Sequence, residues 1–200
     1  CRVRFNGYVI HPGSAKNKMA NATAMAGRFL SMLPQAESPE ATEGRDGFYC
    51  PVEVRGDYGT AEVDLIIRDF EIEEVERRLA YVRSLAETVE KAFPRSSVEV
   101  EVEKQYLNMR DALRAYPEVL GFIQDAVSRA GAEARLHSIR GGTDGARLTE
   151  LGIPTPNIFA GGHNFHGRYE WIAKGALSRA TATILHLIDI WRENAKANRR

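Results

Sequence analysis

Cysteine is scarce in this chain: Cys1 and Cys50 are the two in 200 residues. They are too few and too scattered for a disulfide framework or a CxxC metal pair, which points to a reducing, cytoplasmic setting with Cys50 as a small core residue. Excess charge is absent as well. Lys+Arg and Asp+Glu are both 27, for a formal net charge of zero. Nucleic-acid and membrane-surface proteins carry a basic excess or stripe, so neither partner is expected. Nor is there a long hydrophobic run. The greasiest segment, residues 180–191, is broken by His186 and Asp189 and falls short of the roughly 20 apolar residues of a spanning helix. No signal peptide precedes the first strand pattern, and Cys1 rather than Met opens the chain, which reads as the interior of a longer protein.

What is present is a clear periodicity. Residues 2–10 alternate, with Val3, Phe5 and Val9 on one side. After the break at His11-Pro12-Gly13, Asn17 is placed to cap a helix carrying Met19, Ala22, Ala26, Phe29 and Leu33, which Pro34 stops. A loop follows to Asp46. Phe48, Cys50, Val52 and Val54 read as the core face of a second strand, and Pro51 places that strand at an edge. Gly56-Asp57 signals a hairpin into a third strand over 58–70, with Ala61, Val63, Leu65 and Ile67 inward. Ile72, Val75, Leu79, Val82, Ala86 and Val89 then recur at helical spacing, with Glu73–Arg77 and Glu74–Arg78 as pairs on the wet face. Residues 98–102 alternate as a fourth strand. The order βαββαβ is the ferredoxin-like split βαβ unit, so residues 1–104 are expected to form a small α+β domain.

Residues 105–200 follow a different pattern. A helix from Pro117 through Val127 closes at Gly131, and strands are expected over 135–139 and 153–159. A long helix over 171–196 would bury Ile172, Ala176, Ala180, Ile184, Leu187 and Trp191, ending in the charged stretch 192–200. Two strands rarely stand alone as a sheet, so this part reads as half of an α/β layer with an open edge and an apolar face, prone to self-association or to a partner chain.

The most informative stretch is HSIRGGTDGARLTELGIPTPNIFAGGHNFHGRYE at 137–170. Gly141 and Gly142 allow positive φ and a close ligand approach, and Thr143 or Asp144 is placed to cap the following helix. An arginine beside a helix N-terminus suits a carboxylate or phosphate, though a capped connection with Arg140 as a surface charge fits equally. His163 and His166 sit in a Gly-rich loop where α/β proteins collect ligands. One histidine pair is not a zinc site, which needs three or four ligands.

Six motifs resemble the peptidase T family, di-zinc aminotripeptidases of the aminoacylase and succinyl-diaminopimelate desuccinylase superfamily. They are HPGSAK at 11–16, ESPE at 37–40, IIRDF at 66–70, NMR at 108–110, IRGGTDGA at 139–146 and GIPTPNIFAGGHNFHG at 152–167. The resemblance implies a ferredoxin-like lid domain over 1–104 and the C-terminal part of a di-zinc catalytic α/β domain over 105–200. It implies two zincs per active site, most of whose ligands have no counterpart here, with His166 as the last ligand. Similar enzymes often carry Tyr at the position of His163 and Lys-His at Arg168-Tyr169. Glu170 is then either a partner for His166 or a solvated carboxylate.

By the same resemblance, His11 is the lid histidine that reaches the partner subunit's active site as an oxyanion donor. Arg68 and Arg140 match positions thought to hold the substrate's C-terminal carboxylate, and Asn108 matches the family's NMR turn and is a candidate for substrate hydrogen bonding. Taken by itself, Arg68 also suits a cross-strand ion pair with Asp64 or Glu62. The implied reaction is hydrolysis of the N-terminal peptide bond of tripeptides by a zinc-bridged hydroxide, in a cytoplasmic homodimer joined through the lid. With one ligand to offer, the 200 residues alone are expected to be inactive. Two other classes compete: a non-catalytic dimerisation or small-ligand module, and a sibling amidohydrolase such as a deacylase or dipeptidase.

Overall fold

The computed structural model describes residues 1–197. The chain divides into two compact units, residues 1–105 with 138–140, and residues 106–137 with 141 onward.

The first unit is a four-stranded antiparallel sheet in the order β2-β3-β1-β4 with two helices on one face. Its elements are β1 (Arg2–Asn6), α1 (Ala22–Met32), β2 (Phe48–Gly56), β3 (Thr60–Arg68), α2 (Ile72–Ala92) and β4 (Ser97–Glu101). This is the expected ferredoxin-like α+β fold. Val3 and Phe5, Ala61, Val63 and Leu65, and Tyr49 point from the strands into a core closed by Met25, Ala26, Phe29, Val82, Ala86 and Val89. Phe5 meets Phe29 at 5.6 Å between ring centroids. Burying such side chains contributes about 1.5–3 kcal/mol each before ordering costs.

Several local expectations are corrected. β1 ends at Asn6, where the Gly7 amide turns to the Gly59 carbonyl, so Val9 is exposed. The cap of α1 is Asn21, whose side chain accepts the Ala24 N–H; Asn17 sits in a turn at φ 60°. In β2 the inward residue is Tyr49, while Phe48 and Cys50 face the other way. A bulge between Pro51 and Glu53 slips the register by one. Val54 returns to the helix side but stays 52% exposed at the sheet edge. The expected face of Phe48, Cys50, Val52 and Val54 failed because strict alternation was carried through that bulge. On α2, Ile72 is exposed and Arg77 pairs with Glu74. Arg78 is not on the wet face: it is 6% exposed, ion-paired with Asp69 and Glu37, and lies over the Tyr49 ring. Removing one partner from such a buried pair costs about 3–5 kcal/mol.

Among the described residues of the first unit, no helix lies on the outer face of the sheet. Its charges neutralise one another instead: Arg2 binds Asp64, Arg4 binds Glu62, and Arg55 bridges Glu53, Glu62 and Asp64.

The second unit holds α3 (Arg110–Leu113), α4 (Pro117–Arg129), α5 (Asp144–Glu150), a two-residue ladder of β5 (Gly162–His163) with β6 (Trp171–Ile172), and α6 (Lys174–Ala197). Helix α4 packs on α6, where Phe122 meets Trp191 edge-on at 4.9 Å. Gly131 at φ 72° ends α4 in a left-handed cap, with Ala132 N–H bonded to the Val127 carbonyl. The expected strands over 135–139 and 153–159 do not form among the described residues, because no neighbouring strand is there to pair with them. Helix α6 begins at Lys174, not Trp171. It buries Ala180, Thr183 and Ile190 and leaves Ile184 and Trp191 more than 40% exposed, as is Ile172 in β6. Of the charged stretch expected over 192–200, residues 198–200 lie outside the described residues. No helix among the described residues is long and apolar enough to cross a membrane.

Candidate functional site

Two groups of candidate residues occupy the first unit. His11 precedes a tight turn over Pro12–Ser14, and its Nδ1 accepts the Gly13 N–H at 3.1 Å. With Nδ1 accepting, the neutral ring carries its proton on Nε2, on the edge that points away from the turn. Gly13 makes this possible: a Cβ there would stand 3.2 Å from two atoms of the imidazole. His11 is exposed. It therefore presents a hydrogen-bond donor to whatever approaches.

The second group gathers at the far end of the sheet. Arg68, the last residue of β3, pairs in register with Phe48, the first of β2. The Arg140 guanidinium lies over the same Phe48 ring, 5.0 Å from its centroid, and its Nη1 donates to the Thr42 hydroxyl at 2.7 Å. Arg68 Nη2 donates to the Gln105 side-chain oxygen at 2.6 Å. The structure thus brings both arginines to Phe48, Arg68 as its cross-strand partner and Arg140 over its ring. Asp64 and Glu62, the alternative partners for Arg68, are engaged by Arg2, Arg4 and Arg55. Among the described residues Arg140 makes no ion pair, although it is half-buried. Thr42, Phe48 and Gln105 were missed from the sequence. Phe48 was assigned to the core by the same misread alternation, and the others sit in connections with no periodic signal.

His11 is not part of this corner. Asn6 pairs with Thr60 at one end of β3, and Arg68 is at the other. Eight residues of strand separate the two ends by about 26 Å. An extended tripeptide reaches at most about 10 Å. The strand span thus exceeds the length of a tripeptide, and the turn that carries His11 follows from its Thr60 end.

In the second unit, Asn108 is exposed and its side-chain oxygen accepts the Arg110 N–H at 3.0 Å. Gly141 and Gly142 do not adopt positive φ. What approaches Gly142 is the chain's own Tyr106 ring, which a Cβ would strike. Thr143 occupies the cap position of α5, but its side chain makes no capping bond.

The loop over 163–170 is closely self-bonded. Asn164 and His166 both adopt the left-handed conformation, at φ 55° and 64°. Gly167 N–H reaches the Asn164 carbonyl, and Glu170 accepts the His166 backbone N–H at 2.9 Å. Glu170 thus fixes the backbone that carries His166, and not its imidazole. A histidine held at positive φ is uncommon, and such strain gathers at functional sites. His163 is accounted for by its partner across the ladder, lying flat on Trp171 with centroids 4.3 Å apart.

The donor set of this chain does not fit a metal centre by itself. Among the described residues no three His, Cys, Asp or Glu side chains come together as a metal site would need. His166 has no co-ligands here.

With this geometry in view, residues 1–95 match the family described as the peptidase dimerisation domain. Over nearly its whole length, the chain is similar to proteins named peptidase T. It is 40% identical over 192 residues to the peptidase T of Listeria monocytogenes serotype 4a, covering 96% of this chain and 47% of that protein. The chain spans about half the length of the curated relatives it matches.

Solved structures agree at the level of the fold. A tripeptidase of Staphylococcus aureus superposes with a TM-score of 0.72 at 18% identity, covering 94% of this chain and 50% of that one. A dinuclear metal-binding peptidase of the M20 family from Bacillus subtilis gives 0.54 at 18% identity, over 96% of this chain and 49% of that one.

Proposed function

We propose that this chain is the lid, residues 1–104, and the C-terminal part of the catalytic domain, residues 105–200, of a cytoplasmic zinc aminopeptidase that releases the N-terminal residue of tripeptides. The observation that carries this reading is the arginine corner, in a chain 40% identical to peptidase T along 96% of its length. A half-buried guanidinium supported by a hydroxyl and a ring, with no carboxylate of its own, suits a ligand's carboxylate. A tripeptide ends in one. Asn108 would add a hydrogen bond to the substrate.

His11 would serve as oxyanion donor through Nε2–H, from the partner subunit of a homodimer joined through the lid. The length of β3 supports the donation in trans, since the strand ends from which the two groups depart lie farther apart than a tripeptide extends. His166 would be one metal ligand. When bound, two zincs would polarise the scissile carbonyl and its attacking water, held mainly by ligands from outside these 200 residues.

The test is zinc content and Leu-Gly-Gly hydrolysis measured on the 200-residue chain, and on the same chain joined to a peptidase T N-terminal half. The expected result is under about one zinc and no turnover for the chain alone, with two zincs and turnover for the joined protein. Turnover by the chain alone, or metal without turnover in the joined protein, would overturn the reading.

A further inference from the structure

Two side chains hold Arg140 and have no part in the reaction described above. The Thr42 hydroxyl accepts from Arg140 Nη1 at 2.7 Å and donates to the Ser38 carbonyl at 2.7 Å. A hydroxyl has one proton. With that proton committed to Ser38, the oxygen faces Arg140 as an acceptor only. The Phe48 ring lies under the guanidinium, 5.0 Å from centroid to Cζ. A face contact from one side and a single hydrogen bond from another restrain both the plane of the fork and its rotation. Neither contact cancels the charge.

Both supports are themselves braced. Gly47, just before Phe48, packs so tightly on Asp69 and the Arg68 carbonyl that no Cβ would fit. Asp69 binds the buried Arg78, and Arg78 also binds Glu37, next to the Ser38 that orients Thr42. One buried arginine thus ties the two segments that carry the supports of Arg140.

We propose that Phe48 and Thr42 are positioning residues that aim the Arg140 guanidinium at the C-terminal carboxylate of a peptide, Phe48 setting its plane and Thr42 its rotation. The proposal rests on the carboxylate reading of the arginine corner. Its energetic basis is preorganisation: an arginine already ordered loses less side-chain freedom when the carboxylate arrives.

The test uses the full chain labelled with ¹⁵N, Gly-Gly-Gly as probe, and its C-terminal amide as the uncharged comparison. The first readout is the Arg140 Nε–H signal, which reports whether the guanidinium rotates freely. It is expected to show restricted rotation in the wild type and in Phe48→Tyr, which keeps the ring face, and free rotation in Phe48→Leu. Thr42→Val, an independent variant remote from the core, is expected to loosen it as well. The second readout is affinity. Wild type is expected to prefer the acid over the amide, and Phe48→Leu to weaken acid binding about three- to tenfold, the range of a partly desolvated cation–ring contact, without changing amide binding. An Arg140 signal equally restrained in Phe48→Leu and Thr42→Val would overturn the positioning role alone. Equal binding of acid and amide by wild type would overturn the carboxylate reading, and with it the purpose assigned to the pair.

Discussion

A neutral imidazole has one proton to place, and at His11 the Gly13 amide decides which nitrogen carries it. Gly13→Ala would bring a methyl to 3.2 Å from Cε1 and Nδ1 of the ring, displacing it from that amide. The expected outcome is a rise in the Nδ1–H tautomer of His11, read from the ¹⁵N shifts of the neutral ring. A tautomer ratio unchanged by the substitution would show that Gly13 does not set it. His11, Arg68, Arg140, Asn108 and His166 were all legible as candidates because short motifs surround them. Their supports were not, for physical reasons. Arg78 lies three residues after Val75 and four before Val82, so helical spacing puts it at the border of the buried face, but only the fold brings Asp69 and Glu37 to it. Gly142 was read as room for a ligand, whereas it makes room for Tyr106.

Among the elements, the uncovered face of the first sheet carries the clearest linkage to pH. Hydrogen bonds from Arg4 and Arg55 hold the Glu62 carboxyl below its ordinary range, and Arg2 with Arg55 does the same for Asp64. At the hairpin, the Gly59 and Thr60 amides lower Asp57. Each folded-state value is depressed, so the stabilisation is complete above the unfolded carboxylate range and is lost as pH falls through the lower, folded values. The urea midpoint of the first unit should therefore hold between pH 7 and about 5 and drop below about pH 4. In Glu62→Gln that drop should be smaller; an identical drop would mean that these ion pairs do not govern it. Elements that pack against neighbours within the first unit were legible from their periodicity, and the βαββαβ order followed from it. A strand, however, exists only with a partner. Residues 135–139 and 153–159 have strand-like patterns and no strand beside them, so periodicity alone misassigned them. The bulge at Pro51 likewise reverses inside and outside in a way that no alternating pattern reveals.

At the scale of the molecule, the similarity to the peptidase T of Listeria monocytogenes covers 96% of this chain and 47% of that relative. Within the first unit, β3 holds the arginine corner and the His11 turn at opposite ends. That length has a genetic meaning. If each catalytic pocket draws its histidine from one subunit and its arginines from the other, two separately inactive alleles should rescue one another. In the joined protein, a His11→Ala copy and an Arg140→Ala copy, each silent when alone, would form mixed dimers in which one pocket inherits both intact residues. Random pairing predicts recovery of about a quarter of wild-type turnover when equal amounts are unfolded and refolded together. No recovery would mean that each subunit works with its own histidine.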